Sequence, residues 1–136
     1  MEGDNTPEIS QVTTPITIWV NGCFDIIHAG HIELLKYARS VGDRLVVGLD
    51  TDERVQESKG PTRPINTLQH RKSVIEAIRY VDEVVAFGSD DALRNAILWS
   101  QANIMVVGRV IGSELVKEIK YFNRLYNLST TSITSG

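Results

Sequence analysis

Short apolar runs alternate along the chain with apolar stripes at helical spacing. Ile16, Ile18, Trp19 and Val20 form a β-prone run that stops at Asn21-Gly22. From about Gly30 to Val41, Leu34, Leu35, Ala38 and Val41 keep helical spacing while Glu33, Lys36 and Arg39 face outward, and Gly42-Asp43 ends the helix. Leu45 to Leu49 is continuously apolar, as suits a strand buried on both faces. Val84 to Phe87 and Ile104 to Gly108 predict a third and a fourth strand. Asn66 or Thr67 caps a helix carrying Val74, Ile75, Ile78 and Val81 on one face. Ser89 or Asp90 caps another through Leu93, Ala96 and Ile97. Ser113 caps a last helix with Leu115, Val116, Ile119, Phe122 and Tyr126. Asp50 to Asn66 is charged and carries Lys59-Gly60-Pro61 and Arg63-Pro64, which predicts a long functional loop. Strand alternating with helix predicts an α/β fold: a Rossmann-like, doubly wound parallel sheet of four or five strands in a single domain. Sites in such sheets lie at the carboxyl ends of the strands, here in the loops after strands one, two and four.

Composition changes this picture little. At 136 residues the chain reads as one domain at 16–136 behind a polar, flexible N-terminal arm at 1–15. A net charge of −3 argues against a broad basic surface for nucleic acid, so any anion site must be local. One cysteine, Cys23, excludes an internal disulfide and fits a reducing, cytoplasmic setting. No apolar run reaches membrane-spanning length, and the first residues do not read as a signal or transit peptide. No membrane partner is therefore expected.

The chemistry concentrates at the end of the first strand. A strand, a turn and a helix start build an anion site from backbone N–H groups and the helix dipole. His28 and His31 stand where the helix begins, and Gly30 between them allows a ligand close to the backbone. A zinc site is one reading, but it needs further ligands and His70 is the only other histidine. In a second, structural reading one histidine caps the turn and the other is exposed. In a third, both imidazoles donate to a phosphoryl group and stabilise charge that develops in the transition state. A bound polyphosphate would favour their doubly protonated form. The loop and the glycine agree with the third reading.

Asn21-Gly22-Cys23-Phe24-Asp25 followed by His28-Ala29-Gly30-His31 resembles the (G)xFDxxHxGH motif of the cytidylyltransferase-like nucleotidyltransferases. Gly42-Asp43-Arg44 with Leu45 to Asp52 resembles the family's GDxLVVxxxTDE strand, and Ser129-Thr130-Thr131-Ser132-Ile133 its late STTxI motif, which in the family opens a helix at the nucleotide. Such enzymes join a nucleoside monophosphate to a phosphorylated small molecule and release pyrophosphate. The first motif and the loop from Lys59-Gly60 to Asn66 resemble the bacterial heptose-1-phosphate adenylyltransferase domain. His70-Arg71-Lys72 and Ile78 to Val84 are closer to glycerol-3-phosphate cytidylyltransferase.

The resemblance implies roles. His28, His31 and Lys59 are catalytic; Cys23, Phe24, Gly30, Gly108, Arg109, Ser129, Thr130 and Thr131 bind nucleotide; Asp25, Arg71 and Arg79 are candidates for the acceptor. It implies magnesium carried with ATP or CTP, a sugar or polyol phosphate as second substrate, no metal held by the chain itself, and a homodimer. Two departures stand out. Val107-Gly108-Arg109-Val110 replaces the family's Gly-Asp-Asp-Trp or Gly-Gly-Asp-Tyr, and Arg124 to Ser129 keeps little of its Arg-Thr-Glu-Gly-Ile-Ser. They keep open a different class, a catalytically inactive nucleotide-binding module.

Overall fold

The computed structural model describes residues 15–106, Val116, 118–123 and 127–131. The elements run β1 (Thr17–Gly22), α1 (Ala29–Ser40), β2 (Arg44–Asp50), α2 (Asp52–Lys59), α3 (Leu68–Glu76), β3 (Glu83–Phe87), α4 (Asp90–Ser100), β4 (Ile104–Val106), β5 (Glu118–Asn123) and β6 (Asn127–Thr131). One six-stranded sheet has the order β3-β2-β1-β4-β5-β6. β1 to β5 pair in parallel, and β6 returns antiparallel to β5.

Strand periodicity divides the core. Ile18 and Val20 of β1 and Leu45, Val47 and Leu49 of β2 pack with Leu35, Ala38 and Ile75, so α1 and α3 cover that face. Trp19 and Val46 point the other way and pack with Phe87, Leu93 and Ile97, which places α4 opposite. All these side chains are buried. Hydroxyls close three helix starts: Thr51, Thr67 and Ser89 accept from the backbone of Arg54, His70 and Ala92.

The doubly wound sheet is as expected, and its five parallel strands match the upper expected number; the sixth, antiparallel strand was not foreseen. Three expectations are corrected. The segment from Asp50 to Asn66 is not all loop, because α2 occupies Asp52–Lys59 with Val55 as its single buried residue. The stretch read as a last helix contains β5: Ile119 and Phe122 keep helical spacing, but Glu118, Ile119 and Lys120 pair with Ile104, Met105 and Val106. Ser129, Thr130 and Thr131 lie within β6 rather than opening a helix. The arm, apart from Pro15, and residues 107–115 lie outside the described residues.

Order in the sheet reverses at β1, which pairs with β2 on one side and β4 on the other. The crevice above its carboxyl end is where a ligand has access in a sheet of this kind.

Candidate active site

β1 ends at Gly22, and the chain turns sharply through Phe24, whose φ of 50° is the left-handed conformation. The buried Phe24 side chain anchors this turn in the core. Four residues later His28 becomes the N-cap of α1. Its Nδ1 accepts from the Gly30 backbone N–H at 3.0 Å, and the Nδ1 of His31 accepts from the His28 N–H at 3.2 Å. This is a capping box made from two imidazoles. The ring centroids are 4.1 Å apart, and Phe24 lies 5.3 Å from His31.

These bonds decide the tautomer. An imidazole nitrogen that accepts carries no proton, so each neutral ring carries its proton on Nε2. The structural reading of a capping histidine also holds, and for both rings. It coexists with the chemical one, because capping uses Nδ1 and leaves Nε2–H as the donor. α2 and α4 carry acids in their first turns, whereas α1 carries none, so its positive end keeps its charge for a ligand.

Asp25 and Arg71 were candidates for contact with the acceptor. The structure gives both scaffold bonds, and Asp25 also lines the larger of the two cavities at the carboxyl rim. The Asp25 side chain is only 7% exposed. It accepts from the backbone N–H groups of Ile65 and Asn66, each at 2.8 Å, and Arg63 stands 3.5 Å away. Burial pushes its carboxyl up, but the two N–H donors and the charges of Arg63 and Arg71 outweigh burial and hold it below the usual carboxylate value. Arg71 is 1% exposed. Its guanidinium donates to the carbonyls of Cys23 at 3.0 Å, Asp50 at 2.8 Å and Asn66 at 3.0 Å, and to the Asp52 carboxylate at 2.7 Å. It therefore ties together the loops after β1 and β2 and the start of α3. Arg79 is also corrected: it is exposed beside Tyr80, between α3 and the beginning of β3, at the amino rim and away from the site.

Two cavities open at the carboxyl rim. The larger, about 450 Å³, is lined by His28, His31, Cys23, Phe24, Lys59 and Arg63, among others. The smaller, about 350 Å³, adds Asp50, Arg54, Glu57 and Ser58 and shares Lys59 and Cys23. Both volumes suit small-molecule substrates. Lys59 closes α2, exposed, where it reaches both spaces. Cys23 is half-buried, and burial pushes its thiol up against the smaller opposing pull of Lys59 and Arg71. Gly30 sits in the first turn of α1, so the sequence and the structure agree on the placement of His28, His31, Gly30, Cys23, Phe24 and Lys59.

The remaining candidates are placed differently. Gly108 and Arg109 lie outside the described residues. Ser129, Thr130 and Thr131 pair with Tyr121, Lys120 and Ile119, which puts the Thr131 backbone toward the amino rim of an edge strand. Sequence reasoning missed Arg54 and Asp50. Arg54 donates to Asp50 at 2.8 Å and to Asp90 at 2.7 Å and lies over the Phe87 ring. Burial works against its charge, and the two carboxylates overcome this and raise its pKa. The Asp50–Arg54 spacing of four was the available signal.

Among the described residues no group of three or more His, Cys, Asp or Glu side chains converges on a metal position, and no helix is long and apolar enough to cross a membrane. Comparison with known proteins identifies the family. The family described as Cytidylyltransferase-like matches residues 19–134. The chain is 43% identical to the bifunctional protein HldE of Campylobacter fetus, over 85% of this chain and 26% of that protein. It is 40% identical to the protein of the same name from Campylobacter concisus, over 92% of this chain and 28% of that protein. The chain thus spans about a quarter of the length of these relatives. A lipopolysaccharide core biosynthesis protein from Thermoplasma volcanium has a similar solved structure, with a TM-score of 0.63, 28% identity, and coverage of 70% of this chain and 75% of that one. The chain belongs to the cytidylyltransferase-like family of nucleotidyltransferases.

Proposed function

We propose that this chain transfers an adenylyl group from ATP to a heptose 1-phosphate and releases pyrophosphate. The carrying observation is the pair of Nε2–H imidazoles fixed at an acid-free helix start, facing the same cavity as Lys59. The relatives named HldE, and the likeness of the loop from Lys59 to Asn66 to the heptose-1-phosphate adenylyltransferase domain, support ATP and a sugar phosphate over CTP and a polyol phosphate.

The acceptor's phosphate oxygen attacks the α-phosphorus. A new P–O bond forms as the bond from the α-phosphorus to the bridging oxygen breaks, and pyrophosphate carries away that electron pair. The acceptor is already a nucleophile at neutral pH, so the protein has to position two anions and stabilise equatorial charge. His28 and His31 donate to the α-phosphoryl oxygens, the start of α1 adds its dipole, and Lys59 screens the meeting phosphates. Magnesium arrives as part of the nucleotide substrate. The rim carboxylates Asp25 and Asp50 are engaged by Arg63, Arg54 and backbone donors, so phosphate oxygens and water would hold magnesium there. The family resemblance adds a homodimer to this proposal, which light scattering tests.

The decisive assay is pyrophosphate release with each of the four nucleoside triphosphates against heptose 1-phosphate and glycerol 3-phosphate. ATP with heptose 1-phosphate is the expected pair. CTP with glycerol 3-phosphate would move the substrate assignment. Release with no pair, alongside nucleotide binding, would make the chain a binding module.

A further inference from the structure

The two cavities share a wall, and one side chain on it has no part in the mechanism above. Asn21 lines both, together with Gly22, Cys23 and Lys59. The histidines border only the larger cavity, while Asp50, Arg54, Glu57 and Ser58 border only the smaller. Trp19 precedes Asn21 by two residues and so shares its face of β1. The fully buried indole donates from Nε1 to Asn21 Oδ1 at 2.9 Å. An indole N–H only donates, so this bond fixes the amide: Oδ1 meets the indole, which leaves Nδ2 with its two N–H groups for the cavities that Asn21 lines. Among the described residues Nδ2 has no protein acceptor. Gly48 pairs with Asn21 in register, and a Cβ there would collide with Cζ2 of Trp19. The missing side chain on β2 is what lets the indole lie where it can hold the amide.

Donors and acceptors sort the two substrates. The larger cavity has the helix start and both imidazoles, which suit a triphosphate. The smaller offers Asp50, Glu57 and Ser58, which accept from hydroxyls, and its Arg54 is engaged by Asp50 and Asp90. We propose that the acceptor's sugar occupies the smaller cavity and that Asn21 Nδ2 holds its phosphate at the junction, in line with the α-phosphorus. This assignment rests on the transferase reading above. Lys59 supplies charge at that junction, Asn21 supplies direction, and Trp19 is the residue that positions Asn21.

Asn21→Asp tests this, because it keeps an acceptor for the indole and nearly the same shape but replaces the donor with a negative charge. Kinetics are measured with magnesium ATP and heptose 1-phosphate, or with glycerol 3-phosphate if only that is accepted. The acceptor's KM should rise about tenfold or more, while the dissociation constant for ATP stays within about threefold and the melting temperature holds. The deficit relative to wild type should shrink as pH falls toward the carboxylate range, where the introduced group regains a donor. Trp19→Phe removes the indole donor and should give a smaller loss of the same kind; it decides the matter if Asn21→Asp does not fold. An active wild type whose N21D form keeps its acceptor KM and kcat within about twofold, or loses ATP affinity alone, overturns this proposal and spares the transferase reading. A wild type that neither releases pyrophosphate nor binds the sugar phosphate overturns both.

Discussion

His28 carries two duties on one ring, and substitutions can separate them. His28→Ala removes both the cap and the donor. It should cost about 1 kcal/mol of stability, typical for a lost N-cap, and lower kcat by roughly 100-fold or more, as for a lost oxyanion donor. Asn is itself a strong N-cap. His28→Asn should therefore hold stability near wild type in urea while staying as inactive as the alanine variant. Equal activity of His28→Asn and wild type would show that capping is the histidine's only task. Asp25 makes a prediction in pH. Its folded-state carboxyl is held below the ordinary value, so its stabilisation is fully present above about pH 4 and is lost as pH falls through the lowered value. Stability measured from neutral to acid pH should thus fall less steeply in Asp25→Asn, from a lower starting point.

Among the elements, the first four strands and three of the helices were legible because their apolar positions are dense enough to show a period. β1, β2 and β3 read directly, and hydroxyl or imidazole residues mark the helix starts. α2 was not legible: DERVQESK buries only Val55, so it has no apolar stripe to detect, although Thr51 is an ordinary cap. β5 misled for the opposite reason. Its apolar residues fit a helical face, and pairing with β4, a contact remote in sequence, chose the strand. The site was legible where it is local, in the nine residues from Cys23 to His31. Arg71 looked like a phosphate ligand because its four acceptors come from segments that sequence order does not place together. Packing between strands also makes a prediction. Gly48→Ala should cost about 1–3 kcal/mol by crowding Trp19, and it should raise the acceptor's KM by disturbing Asn21. Denaturant melts paired with kinetics check both effects, and a variant as stable as wild type would mean that the indole has room to move.

For the whole molecule, the order of strands was not readable, since parallel neighbours are joined only by long crossovers. Once the order is known, the position of the site follows from the reversal at β1. A ligand held there touches loops from several elements and should stabilise the fold as one unit. At a concentration of magnesium ATP a hundredfold above its dissociation constant, linkage gives about 2.7 kcal/mol, or roughly 10 °C in melting temperature for a chain of this size. No shift at millimolar magnesium ATP would show that the folded chain does not bind the nucleotide.

Arg71 joins segments up to 48 residues apart through one buried guanidinium. Withdrawing it from any carbonyl loosens its grip on the others. The rim accordingly has one shared opening event instead of several independent ones. Slow deuterium uptake at the backbone N–H groups of Ile65, Asn66 and Arg71 should follow a common free energy, and uptake at clearly different energies would show that these segments breathe separately. A rim that opens only as a whole meets both anions already assembled.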